Sequence, residues 1–404
     1  MKKRIVFKIR KYPTVSETFI VFNIVAAIKS GYDVTIIADQ LGEGDSGTQP
    51  HLDAKYQLAQ KVRVPKPPLK FWPRGFTAIA YLLNPDILFY FIKYCSLKKN
   101  WSLAHLFSLK FYAPLRKNTI FHVHFSNREK PLFDLKKIGF LKSPIIVTFH
   151  GFDVHRIPDH PSFSKERSDL NTFAAAITTN SNYLKDQALL KGIREDLMSV
   201  IPVGLDVGMF QPKIAPLAAS VVKIISVGRL VPVKGHALGI AAIQILLEKG
   251  YDVTYTIIGE GEEKASLEKL ILELGIADNV QIIDFKNQAV LKEYYAAADI
   301  FLLPSTTDEA GRQETFGVVS LEAQAMGLPV VGFDCGGFPE TLEIGQSGFV
   351  VQDGNVALLA EKLALLIDDP SLRIRMGQSG IANVHTNFSN EKTVHKYLKL
   401  YETV

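Results

Sequence analysis

The chain has 404 residues, more than one core comfortably organises, and with 47% hydrophobic and 22% charged residues it is excluded from the disordered and low-complexity classes. Two cysteines, Cys95 and Cys335, are too few and too far apart for a disulfide framework or a cysteine metal site, which fits a reducing cytoplasm. The net charge of +5 is unevenly divided, with +13 in residues 1–206 and −8 in residues 207–404.

Lys3–Ile9 reads as a first strand, and Lys8, Arg10 and Lys11 interrupt its apolar run too early for a secretion signal. The loop Arg10–Phe19 has no glycine, so the dinucleotide fingerprint expected after the first strand of a dehydrogenase is absent. Ser16 is suited to cap a helix running to Lys29, which Gly31 stops, and Val34–Ala38 is a second strand.

Residues 61–117 hold eleven basic side chains against one acid, Asp86, threaded with twelve aromatic residues from Phe71 to Tyr112. Cations interleaved with aromatics suit a surface lying on anionic lipid headgroups; the other reading is a helical hairpin whose aromatics are core. Nucleic acid is not expected, because no recognition motif accompanies the charge. The apolar stretch Gly75–Tyr94 is broken by Asn84, Pro85 and Asp86 and falls short of a membrane span.

A βα rhythm resumes at Ile120–Phe125. Histidines alternating with apolar residues there are core residues on one reading and site residues on another, and His124 is retained as a candidate. Strand Pro144–His150 ends in Gly151-Phe152-Asp153, and a histidine followed by glycine at a strand's carboxyl end lets backbone approach a ligand. Asp153 is either a site residue or a turn cap. Ala174–Asn180 is a further strand, and Ser199–Phe210 a strand that breaks at a domain boundary, with residues 211–221 as linker.

The second half opens on strand Val222–Val227. Gly228, Arg229 and Lys234 follow in one loop before a helix from His236, and two cations converging there suit a diphosphate. Tyr251–Ile258 and Val280–Phe285 are strands, the former running into the Gly259-Glu260-Gly261 turn. Asp299–Leu303 is a strand stopped by Pro304, and the spacing of Phe316, Val319, Leu321, Ala323 and Met326 predicts a helix from Phe316, ended by Gly327 and Pro329 before strand Val330–Phe333. Such a βαβ unit aims a helix N-terminus at whatever binds the sheet's carboxyl edge. Glu314 falls at the lip of that helix and Glu322 two turns in, about 12 Å apart by helical rise. Gly336, Gly337 and Glu340 then mark another strand end where a nucleotide could sit, and helices are expected from Val356 and Asn390.

The words Gly228-Arg229-Leu230 with Lys234-Gly235, and Pro304-Ser305 followed by Glu314-Thr315-Phe316-Gly317, Glu322 and Pro329-Val330-Val331, resemble the donor-site signature of retaining glycosyltransferases of family 4. Tyr12-Pro13 with Ser16-Glu17-Thr18-Phe19 is similar to the opening of the exopolysaccharide and colanic-acid-type subgroup. The resemblance implies an α/β GT-B fold, two Rossmann-like doubly wound domains facing across a cleft: residues 1–206 for the acceptor, 207–385 for the nucleotide sugar, and a helix in 386–404 returning to the first domain. It implies transfer of a hexosyl group from a UDP- or GDP-linked sugar to a hydroxyl of a saccharide or lipid-linked acceptor, without a metal or further cofactor. His150, Glu314, Arg229 and Lys234 become the catalytic candidates. Gly228, Gly259, Phe316, Gly317, Val318 and Glu322 join Arg229, Lys234 and Glu314 as donor contacts, with Glu322 on the ribose, and Ser16, His124 and Asp153 lie on the acceptor side. A cytoplasmic chain, peripheral on the membrane's inner face, is expected. Two departures stand out: no glycine-rich loop follows the first strand, and Asp308–Gln313 is inserted before Glu314, bringing Arg312 near the donor or into solvent. An inactive sugar-nucleotide-binding partner or a GT-B epimerase would share these words.

Overall fold

The computed structural model describes residues 3–13, 18–42, 50–65, 71–126, 129–155, 157, 165–212, 221–285 and 287–404. Two compact units emerge. The first comprises Met1–Thr179, Lys185–Ile201 and Val394–Val404; the second comprises Asn180–Leu184 and Pro202–Thr393.

In the first unit the strands are β1 (Arg4–Tyr12), β2 (Asp33–Leu41), β3 (Val62–Arg63), β4 (Thr119–His124), β5 (Ile145–Thr148), β6 (Ala176–Thr179) and β7 (Met198–Val200). They form one parallel sheet in the order β3-β2-β1-β4-β5-β6-β7. The central strands are buried along nearly their whole length, as parallel strands covered on both faces must be. Its helices are α1 (Thr18–Lys29), α2 (Pro50–Tyr56), α3 (Phe71–Leu82), α4 (Pro85–Lys98), α5 (Leu103–Tyr112), α6 (Leu132–Lys137), α7 (Phe152–His155), α8 (Lys165–Phe173) and α9 (Asn182–Leu190), whose first turn clusters with the second unit.

The described residues between 61 and 117 are thus largely helical. Pro85 opens α4 and the Asn84 side chain accepts from the N–H groups of Asp86 and Ile87, so a bend of 109° separates α3 from α4. No single described helix is long and apolar enough to cross a membrane.

The second unit carries β8 (Val222–Val227), α10 (His236–Glu248), β9 (Val253–Ile258), α11 (Lys264–Glu273), β10 (Val280–Ile283), α12 (Gln288–Ala297), β11 (Ile300–Leu303), α13 (Val318–Ala325), β12 (Val330–Phe333), β13 (Gly348–Val351), α14 (Val356–Asp368) and α15 (Pro370–Asn387). Its sheet runs β10-β9-β8-β11-β12-β13, all parallel, so the strand order reverses between β8 and β11. The crevice outside the carboxyl ends of those two strands is where a doubly wound sheet binds its ligand. The last helix, α16 (Asn390–Thr403), begins in the second unit and ends in the first, where Tyr397 and Tyr401 are buried beside Ile5, Phe7 and Ile120.

Candidate functional site

In the second unit the loops after β8 and β11 lock together, backbone on backbone. Thr306 N–H donates to the Val233 carbonyl (3.1 Å), and Gly235, at φ +59°, lies so near Pro304 that a Cβ would stand 2.0 Å from its carbonyl oxygen. Only glycine fits there. The loop 304–314 is further held by Asp353, whose carboxylate accepts from Thr306 Oγ1 (2.5 Å), Thr307 Oγ1 (2.8 Å) and Thr307 N–H (3.0 Å).

This scaffold brings Lys234 and Glu314 together. Their side chains, 16% and 11% exposed, form an ion pair through Nζ and Oε2, and Ser305 Oγ donates to the same oxygen at 3.4 Å. Burial alone would raise the Glu314 pKa, but the Lys234 ammonium, the Phe316 N–H and Ser305 outweigh it and hold the carboxyl below its ordinary value. Two glycines fix the backbone on the far side: Gly337 N–H donates to the Glu314 carbonyl (2.7 Å), and a Cβ on Gly336 would stand 2.0 Å from that oxygen. Gly336 and Gly337 thus shape the Glu314 loop.

Arg229 is exposed on the same loop as Lys234, with its carbonyl 3.2 Å from Nε2 of buried His236. A Cβ at Gly228 would find its three nearest neighbours in the Lys234 side chain, at ordinary contact distances from 3.6 Å. Gly259 differs. A Cβ there would lie 1.8 Å from the Gly228 carbonyl, so β8–β9 packing by itself requires this glycine.

The helix expected from Phe316 starts at Val318, with Gly317 at φ +83° as its N-cap. Glu314 therefore lies in the loop and not on the helix, and the separation counted in helical rises does not apply. Phe316 is buried with its ring 6.0 Å from Phe388, leaving its backbone as the part that could meet a ligand. Val318 is the first helical residue, and the opening N–H groups of α13 lie at the switch point. Glu322 is 6% exposed and accepts from Tyr295 Oη at 2.9 Å. The sequence reading gave Tyr295 no part; a tyrosine in a helix ahead of the motif carries no signal of its own.

Arg312 donates through Nε to Asp308 (2.6 Å), closing a turn within the inserted segment. Glu340 accepts from the N–H groups of Asn182 and Tyr183, each at 2.7 Å, and so caps α9 instead of facing a nucleotide.

The first unit assembles a histidine cluster at the carboxyl ends of β4 and β5. His124 Nδ1 and His150 Nε2 are 3.1 Å apart, and His122, His124 and His150 stack in sequence with centroids 4.3 and 5.4 Å apart. His122 is bonded to Tyr401 Oη and Thr148 Oγ1, each at 2.7 Å. Burial pushes His150 and His122 down to about 3 and His124 well below the ordinary imidazole value, so the stack is neutral. His150 is half-buried against Phe19 and Phe125.

Asp153 presents no open carboxylate. Its Oδ1 accepts from His150 and Gly151 N–H (3.0 and 2.9 Å) and its Oδ2 from Ser126 N–H (3.0 Å), so it ties the β4 and β5 loops and sets the His150 backbone. His124, proposed for the acceptor side, is fully buried and meets His150 rather than solvent. Ser16 lies outside the described residues.

Residues 17–208 match the family model Glycosyltransferase Family 4, and residues 211–382 match Glycosyl transferases group 1. The chain belongs to glycosyltransferase family 4. This glycosyltransferase is 28% identical to the amylovoran biosynthesis glycosyltransferase AmsK of Erwinia amylovora, with 99% of each chain covered. It is 29% identical to the putative colanic acid biosynthesis glycosyltransferase WcaL of Escherichia coli over 89% of each. Its fold matches crystal structures of a Rickettsia africae glycosyltransferase (TM-score 0.72, 20% identity, 100% and 99% covered) and of Anabaena HepE in complex with UDP (TM-score 0.72, 18% identity, 99% and 100% covered). Both units are Rossmann-like, in the GT-B fold.

Proposed function

We propose that this glycosyltransferase moves a hexosyl group from a UDP- or GDP-linked sugar to a saccharide hydroxyl, with retention at the anomeric carbon and without a metal, during bacterial exopolysaccharide synthesis. The observation that carries the reading is the Lys234–Glu314 pair at the β8/β11 switch point, with Arg229 on the same loop. The relatives named for amylovoran and colanic acid support the pathway class. A lipid-linked acceptor, and with it a cytoplasmic chain working at the membrane's inner face, completes the proposal.

Arg229 and Lys234 take the diphosphate, joined by the N–H groups that open α13. As the bond between the anomeric carbon and the phosphate oxygen breaks, the charge left on the leaving diphosphate meets cations already in place, which is electrostatic catalysis. The acceptor oxygen forms its bond on the same face and its proton passes to the leaving phosphate oxygen. Glu314 positions the donor sugar, Glu322 the ribose, and His150 the reacting end of the donor. Replacing Glu322 by alanine should raise donor KM more than replacing Glu314, while Glu314→Ala lowers kcat. The test is a screen of UDP-, GDP- and ADP-sugars by thermal shift, followed by sugar release. Tight binding with no turnover would replace this reading with that of an inactive sugar-nucleotide-binding partner.

A further inference from the structure

Helix α4 is apolar on both sides. One side, Ile87, Phe91, Tyr94 and Cys95, is buried, as an amphipathic helix requires. The other carries Leu88, Phe89, Ile92 and Leu97, exposed to 39, 52, 45 and 37%. The exposed apolar set continues through Ile79 on α3 and Leu83 at the corner, 61 and 78% exposed, and Trp101 beyond α4, 73% exposed. A helix that is hydrophobic all round needs cover on every side, and a set this extensive marks an interaction surface.

The charge of this segment of the sequence selects the partner. Residues 61–117 carry +10, and their single acid, Asp86, is already paired with Arg116. Lys93 lies over the Phe89 ring at 4.8 Å and Lys110 over Tyr81 at 4.9 Å, so cationic heads sit directly above aromatic bodies. Lys99 and Lys117 are exposed. Apolar side chains with lysine heads at their rim match a bilayer interface, where the rings enter the acyl boundary and the ammonium groups stay among phosphates. A second copy of the chain would bring +10 against +10.

We propose that α3, α4 and Trp101 form a docking surface for anionic phospholipid bilayers, entered to interfacial depth. It deepens the reading of a lipid-linked acceptor, yet its test does not depend on catalysis. Flotation with phosphatidylcholine vesicles, with and without phosphatidylglycerol, should show binding only when the anionic lipid is present, weakening in high salt. Each of Lys93→Glu and Lys99→Glu should weaken it at least about five-fold. Ile79→Ser with Leu83→Ser and Ile92→Ser should abolish it with an unchanged melting curve. In a Trp72→Phe background, Trp101 alone reports insertion through a blue shift of its emission. Equal flotation of the serine variant, absence of flotation at low salt, or a dimer in light scattering dissolved by the same substitutions would overturn the proposal.

A separate observation concerns His124. Its Nε2 is buried without a hydrogen-bond partner among the described residues, and its Nδ1 faces His150 Nε2. A buried N–H left unsatisfied is rarer and more costly than an unsatisfied acceptor lone pair, so the proton of neutral His124 belongs on Nδ1, from which it donates to His150. His150 then accepts at Nε2 and carries its own proton on Nδ1. We infer that His124 is a positioning residue that fixes this tautomer of His150. Nitrogen NMR of the unliganded chain should show His150 protonated at Nδ1, and a proton on Nε2 would overturn the inference whether or not the enzyme reading holds. His124→Phe should lower kcat at least ten-fold with donor KM nearly unchanged, and His124→Asn, which restores an amide donor, should recover most of it. Equal losses in the two variants would also overturn it.

Discussion

Replacing Lys234 by methionine isolates the electrostatic role of the Lys234–Glu314 pair. The methionine keeps much of the apolar stem while leaving the Glu314 carboxylate, 11% exposed, without its cation. Breaking a buried pair from one side costs about 3 kcal/mol, because the remaining charge is uncompensated. For a unit of this size that is about 6–12 °C in melting temperature. The sign with pH follows from the causes. In the parent chain Lys234 and its fellow donors hold the Glu314 carboxyl below its ordinary value against burial, so the pair contributes stability above the unfolded pKa and loses it as pH falls through the folded one. In Lys234→Met burial acts against fewer partners and the folded pKa rises, so the deficit is largest near neutrality and shrinks on acidification. Melting curves of the parent, Lys234→Met, Glu314→Gln and the double variant, at about pH 7 and about pH 4.5, measure this. The double variant should be more stable than Lys234→Met. A deficit unchanged between the two pH values, or a double variant as unstable as the sum of the singles, would refute the pairing.

Gly259→Ala should destabilise the second unit by about 3 kcal/mol or more, since its Cβ meets the Gly228 carbonyl, whereas Gly228→Ala should melt within about 1 kcal/mol of the parent and still weaken nucleotide binding, as titration calorimetry would show. Tyr295→Phe removes a donor from the buried Glu322 carboxylate, costing about 1–3 kcal/mol in thermal melts and raising donor KM. Asp153→Ala strands the N–H groups of Ser126, His150 and Gly151 and should lower both stability and kcat, with Asp153→Asn intermediate in both. Glu129, 5% exposed, has its carboxyl raised to about 7 mainly by burial, so it contributes stability at low pH and loses it as pH rises through 7. Glu129→Gln should therefore gain on the order of 2 kcal/mol relative to the parent in melts at about pH 8 and nothing at about pH 5.

The strands were legible because parallel strands buried on both faces read as short apolar runs, and every run from Val222 to Phe333 became one. The convergence of the Lys234 and Glu314 loops was legible too, since both follow strands that border the sheet's switch point. What the pattern hid was the reason for several residues. A glycine in a loop reads alike whether it admits a phosphate or a neighbouring carbonyl, and Gly259, Gly336 and Gly337 each meet a backbone carbonyl so closely that packing alone requires them. An acid after a strand reads alike as ligand contact or cap, and Asp153 and Glu340 proved to hold backbone N–H groups. Helix α15 escaped notice because Gly377 and Gly380 interrupt its apolar pattern. A Cβ on Gly377 would stand 2.0 Å from the Gly327 carbonyl and one on Gly380 3.2 Å from Gln324, so these glycines let α15 settle against α13.

These close approaches bear on how the donor residues keep their geometry. Glu314 lies in a loop, where a long side chain would ordinarily sample many rotamers at an entropic cost on ordering. Here its carbonyl is fixed from Gly337, its carboxylate from Lys234 and Phe316 N–H, and the incoming strand end from Gly235 and Asp353. A loop held at its carbonyl, its carboxylate and its incoming strand end acts as a rigid element, and a preorganised carboxylate need not be ordered when the proposed donor sugar arrives. The Asp308–Gln313 segment closes on itself through Arg312 and Asp308. Substitutions at Gly336 or Asp353, residues the proposed chemistry never touches, should therefore lower kcat by loosening Glu314 while Arg229 and Lys234 still bind the diphosphate. A loss confined to nucleotide affinity in either variant would show that the loop's rigidity serves binding alone.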